Sequence, residues 1–255
     1  MPATRTKQPA TRMTLAETMR ELEKCGSAQT KKTYLRHGAH EPLFGVSFAT
    51  LKTLVKRIGV DNDLALALWK TGNHDARTLA MKVADPQRMS PRDLDQWAAE
   101  NRMRMCGGYL ASLTAEGPHA MAKATQWLAS DDTAVRATGW AVVGRMAMLD
   151  ETTPDAWFVE RLAQIEKTIH TASNDERAEM NGVVITIGGR SLALRKAAIS
   201  AAKRIGEVEV DHGDTACKTP DAGPYIEKMW AHAAAKKFAS PAAQERARES
   251  MRTRC

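Results

Sequence analysis

The stretch Leu64–Ala84, LALALWKTGNHDARTLAMKVA, limits the fold of this chain more than any other. Apolar residues recur at helical spacing on both sides of a turn at Gly72–Asn73: Leu64, Leu68 and Trp69 before it, Ala76, Leu79, Ala80 and Val83 after it. Asn73 is placed to cap the second helix, and Asp75 and Asp85 bracket that helix. A helical hairpin of this size cannot bury its own apolar faces. It needs stacked neighbours of the same kind, so the expectation is an array of helical repeats.

Helical periodicity continues along the rest of the chain. Thr14 and Glu17 form a capping box for a helix running to Cys25. Ser27–His37, Ser47–Ile58, and a helix opened by Ser90-Pro91 follow the same pattern. Arg104–Leu113, Pro118–Ala129, Thr133–Leu149, Pro154–His170, Asp175–Ile187 and Ser191–Ile205 complete about a dozen helices joined by short polar turns. Helix pairs recur roughly every 35–45 residues, in the range of HEAT repeats. Val183–Ile187 is β-branched, but it stands where a repeat helix is due and is read as helix. Glu207–Val210 reads as an extended connection, and Gly188–Gly189 as a helix C-cap. Gly, Pro and Asp dominate Asp211–Tyr225, which reads as a loop. A helix at Pro224–Lys236 and a charged helix at Ser240–Cys255 end the chain. The expected organisation is a disordered basic tail over residues 1–13, a repeat solenoid over 14–210, and a C-terminal loop with helices packed on it over 211–255.

Composition supports an all-α reading: of 255 residues, 43% are hydrophobic but only 5% aromatic, and Ala is abundant. The net charge of +7 favours anionic partners without choosing among them. Cys25, Cys106, Cys217 and Cys255 form no CxxC pair, which excludes a zinc ribbon and a disulfide framework and suits a reducing cytoplasm. The N-terminus lacks the apolar run of a signal peptide, and no segment has the apolar length of a membrane span. Asp211, His212, Asp214, Cys217 and Asp221 share a loop, but their spacing matches no standard metal motif, so no metal is expected.

The hairpin wording LW-K-T-G-N-H-D-A-R, the start Asp131–Trp140 of a later repeat, and the loop Val210–Lys228 resemble the bacterial DNA alkylation repair family, the AlkD-like glycosylases. The resemblance covers most of Phe44–Lys228. It implies a curved α-solenoid of HEAT-like repeats that wraps double-stranded DNA, damaged or branched, as a monomer without cofactor, in the cytoplasm and on the nucleoid when bound.

Family members excise alkylated purines with an Asp that stabilises the oxocarbenium-like sugar, beside Trp residues that favour the cationic base. Here the W-D-x-C-D pattern aligns with Met103, Arg104, Met105, Cys106 and Gly107, so the catalytic Asp position falls on Gly107. A later aromatic position near Asn181–Val184 holds Gly or Val. No acid lies between Asn101 and Thr114, and Glu100 is the one local substitute. The resemblance therefore implies DNA binding without conventional glycosylase chemistry. The alternatives are an active glycosylase that removes 3-methyladenine and 7-methylguanine, and a protein-binding HEAT scaffold. Arg136, Arg104, Arg145, Arg190 and Lys196 are the candidate phosphate contacts, with Arg77 and Arg195 also on repeat helices.

Overall fold

The structure, a computed structural model, describes residues 12–101 and 107–253. Most of the expected basic tail lies outside these residues, as do Met103, Arg104 and Cys106. Three helices open the described chain: α1 (Leu15–Cys25), α2 (Ala28–Arg36) and α3 (Phe48–Ile58). Five hairpins follow, pairing α4 (Asn62–Lys70) with α5 (His74–Val83), α6 (Pro91–Glu100) with α7 (Gly107–Ala115), α8 (Ala120–Leu128) with α9 (Thr133–Leu149), α10 (Asp155–Thr168) with α11 (Asn174–Gly188), and α12 (Leu192–Ile205) with α13 (Ala222–Ala235). A short α14 (Pro241–Arg246) comes last. The only β pairing among the described residues is an isolated bridge between Gly26 and Val46.

Local chemistry sets these boundaries. Ser27, Ser47, Asp61, Asn73, Ser90, Asp132, Ser173 and Ser191 each accept a backbone N–H from the first turn of the helix they open. Thr14 and Glu17 make the reciprocal capping box. Val183–Ile187 lies inside α11, and Glu207–Val210 is an irregular connection. The hairpins start at Asn62, Pro91, Ala120, Asp155 and Leu192, so their spacing grows from 29 to 37 residues. The first two repeats fall short of the expected period because their helices are only 9–10 residues long.

The odd-numbered helices α5, α7, α9, α11 and α13 pack side by side as one layer. The even-numbered helices cover one side of it, and a single apolar core runs between the layers from Leu22 to Trp230. The odd layer is buried on more than one face. In α9, Val135, Ala137 to Trp140, Val142 to Gly144 and Met146 to Met148 are all buried, which leaves a narrow open stripe at Ala134, Ala141 and Arg145. In α11 the open stripe holds Asp175, Glu179, Gly182 and Thr186.

The last segment departs from the expected charged helix. Among its described residues only Pro241–Arg246 is α-helical, and the chain then runs as a strap along the C-terminal ends of the odd helices in reverse order. The Ala242 N–H donates to the Gly189 carbonyl at the end of α11. Arg246 donates to the Met148 carbonyl near the end of α9 and pairs with Glu151. Ser250 donates to Glu116 just past α7. Arg252 reaches the end of α5, donating to the carbonyls of Met81, Lys82 and Ala84 at 3.0, 3.3 and 3.1 Å. It also holds Glu116 at 2.9 Å, while Lys82 Nζ donates to the Arg252 carbonyl at 2.7 Å. Helix C-termini leave carbonyls without intrahelical partners and carry the negative end of the dipole, so guanidinium groups are drawn there instead of continuing a helix of their own.

Candidate nucleic-acid interface

The hairpin motif builds a lock between α4, α5 and α6. The rings of Trp69 and Trp97 stack with centroids 4.2 Å apart and planes 7° from parallel. The Trp69 indole N–H donates to Glu100 Oε2 at 2.9 Å, and Arg77 Nη2 meets the same oxygen at 2.6 Å. The Arg77 guanidinium lies 4.8 Å from the centre of the Trp69 ring, and its Nε donates to the Trp69 carbonyl. The charge of Glu100 is thus met by one cation, the indole N–H hydrogen-bonds the same oxygen, and Gln96 holds the second oxygen. A carboxylate held this way is a structural tie. Asp75 does not act as a simple dipole partner for α5. It is fully buried and accepts the backbone N–H groups of Phe44, Gly45 and Val46 at 2.6, 3.1 and 2.8 Å, which clamps the preceding loop.

Arg136, the fourth residue of α9, forms a two-pronged bond with Glu176 on α11, Nε–Oε1 at 2.7 Å and Nη2–Oε2 at 3.1 Å. Its remaining nitrogen donates to the Ser130 and Asp131 carbonyls. Burial alone would push the Glu176 carboxyl up, but the hydrogen bonds from Arg136 and Ser173 outweigh it and hold the group below its ordinary value. The guanidinium that the sequence offers to phosphate therefore joins adjacent repeats.

Arg145 pairs with Glu245 of α14 at 3.1 Å. Arg190 is nearly enclosed: it donates to the Met146, Ala147, Asp150 and Thr153 carbonyls, caps the end of α9, and pairs with Asp155. Arg195 pairs with Glu227 and lies over the Trp230 ring. Lys196 is exposed, with no ion pair among the described residues. Arg104 lies outside those residues. Gly107 opens α7. Beyond the backbone of its own helix turn and its chain neighbours, no atom lies within 4 Å of where a Gly182 Cβ would stand, so the open stripe of α11 is hollow at the expected aromatic position.

Sequence reasoning missed Glu179, Glu176 as the partner of Arg136, and the strap arginines. Glu179 had one local signal: it follows Asp175 and Glu176 by one helical turn, and no Lys or Arg stands three or four residues beyond it. Among the described residues no group of three or more His, Cys, Asp or Glu is placed to hold a metal ion, and no helix is long and apolar enough to cross a membrane.

Residues 18–213 match the family model described as DNA alkylation repair enzyme. The chain belongs to the DNA alkylation repair family. Two curated relatives, uncharacterised proteins of Listeria monocytogenes and Listeria innocua, are 30% and 29% identical over 215 residues, which is 82% of this chain and 93% of each relative. A solved structure described as a new family related to the HEAT-like repeat DNA glycosylases with affinity for branched DNA structures superposes with a TM-score of 0.78 at 30% identity. That match covers 86% of this chain and 95% of the other. The two helical layers are thus the HEAT-like repeat solenoid of the DNA alkylation repair family. The family model ends at residue 213, so α13, α14 and the strap lie beyond it.

Proposed function

We propose that this member of the DNA alkylation repair family binds branched double-stranded DNA and does not excise bases through the usual carboxylate. The observation that carries the reading is the likeness, at 30% identity and TM-score 0.78 over 86% of the chain, to a structure described as having affinity for branched DNA. Two features support the second half. Glycine stands at residue 107, where the resemblance puts the catalytic Asp. Glu100, the nearest acid, spends its charge on Arg77 and its hydrogen-bonding capacity on Trp69 and Gln96.

The test has two arms. Fluorescence anisotropy with a four-way junction and a plain duplex should show binding at low salt that weakens as salt rises, with the junction bound more tightly. Incubation with N-methylated duplex should release no 3-methyladenine or 7-methylguanine. Release that disappears in Glu100→Gln would replace this reading with that of an active glycosylase. No binding to either DNA at low salt would leave the protein-binding scaffold.

A further inference from the structure

The charge of this chain is distributed unevenly. Residues 14–221, up to the start of α13, hold 27 Lys and Arg against 27 Asp and Glu and are neutral overall. Residues 222–255 hold seven cations against three acids, and residues 1–13 hold three cations and no acid. All of the net +7 therefore belongs to the two ends of the chain. The open stripes of α9 and α11 offer a phosphate little: Arg145 is paired, and Asp175 and Glu179 are acidic.

One face of α13 differs. Tyr225, Lys228, His232 and Lys236 recur at intervals of three and four residues and so line up along one side of the helix. The opposing positions Ile226, Trp230 and Ala233 are buried. Tyr225 is 44% exposed, and the three basic side chains are exposed with no hydrogen bond or ion pair among the described residues. The row spans roughly 16 Å at the helical rise. Beside it a cavity of about 290 Å³ opens between α13 and α14, lined by Tyr225, Lys228 and His232 of α13 and by Glu245 and Arg248, which pair with each other at 3.7 Å.

Lys237 adds an independent sign. It stands just past α13 and its cap residue Lys236 with φ 63°, and the Phe238 N–H closes the cap on the Ala233 carbonyl. Glycine is the residue that suits this left-handed position, because a side chain there costs stability. The chain holds an exposed lysine there instead, next to the basic row. Backbone strain of this kind clusters at functional sites.

We infer that the Tyr225–Lys237 face of α13 is a docking surface for the phosphate backbone of DNA. The inference rests on the proposed DNA binding and says where the grip lies: on the last helix of the odd layer and the cap that follows it, beyond residue 213 where the family model ends. Lys228, Lys236 and Lys237 supply the charge, and the Tyr225 hydroxyl supplies a neutral phosphate donor. Tyr225 is the single large exposed apolar side chain on this face, too little to anchor a lipid surface.

The test is the salt dependence of junction and duplex binding by the full chain. The triple variant Lys228→Ala, Lys236→Ala, Lys237→Gly is compared with a control triple variant Lys32→Ala, Lys56→Ala, Lys167→Ala, whose lysines are exposed on other helices. Each lost phosphate contact lowers the slope of log K against log salt by about 0.9, so the α13 variant should lose about two to three units and the control should keep the wild-type slope. Lys237→Gly alone should melt at or above the wild-type temperature and still lose close to one unit, which separates the grip from folding. An unchanged slope in the α13 variant, or an equal loss in the control, overturns the inference while leaving DNA binding intact. So does loss of binding to phosphatidylserine vesicles in place of DNA. A wild-type chain that binds neither DNA at low salt overturns the parent reading as well.

Discussion

Glu179 is half-buried on the outer stripe of α11, without a hydrogen bond or ion pair among the described residues, and the desolvation it meets there, reinforced by the charge of Asp175 four residues earlier, pushes its carboxyl up to about 7. In the unfolded chain the same group ionises near 4.5. Between those values the folded protein keeps a proton that the unfolded chain has released, so this group's contribution falls as pH rises through the window and the loss is complete above about 7. Glu179→Gln should therefore match the wild type in urea unfolding near pH 4 and exceed it at pH 8. Equal stability at pH 8 would show that the carboxyl is not held in this state. Glu176, three residues earlier, takes the opposite course because Arg136 meets it. The sequence makes Arg136 stand out as a basic residue at a repeat start, but its partner lies 40 residues away. A side chain's distant partner is decided by packing, so the sequence offered Arg136 to phosphate and the fold gave it to a neighbouring repeat.

The helices themselves were legible where their signals are local. Asn73 and Ser90 cap α5 and α6 through N–H groups three residues on, and a reader of the sequence sees both donor and acceptor in one window. The strap is the contrary case. Ser240–Cys255 carries helix-compatible residues, yet the stretch after Arg246 is not helical, because the end of α5 offers Arg252 three carbonyls lying 168 to 171 residues back. Arg252 is buried and Glu116 largely so, and removing one partner of a buried ion pair costs about 3 kcal/mol. Arg252→Ala should lower the urea midpoint by a corresponding amount with little change in slope. Arg252→Lys should recover only part of it, since an ammonium cannot serve a carboxylate and three carbonyls in fixed directions. Full recovery by lysine would reduce the role of Arg252 to its charge.

At the scale of the molecule, a solenoid has contacts mainly between neighbouring repeats, and each repeat then opens with its neighbours and not with the whole. The strap alters that rule. It touches α11, α9, α7 and α5 in turn, and the bond from Lys82 to the Arg252 carbonyl spans 170 residues. Repeats far apart in sequence are thereby tied into one unit, so their amides should open together in native-state hydrogen exchange. Deleting residues 248–255 removes Ser250 and Arg252 while leaving α14 on α9 and α13. The wild type should show similar protection in α5, α9 and α11. The shortened chain should lose protection first in α4–α7, whose helices are short and whose C-terminal carbonyls lose Arg252, while α9–α13 keep most of theirs. Uniform loss across all repeats would mean that cooperativity comes from the core between the layers, and that the strap only covers the ends of the helices it touches.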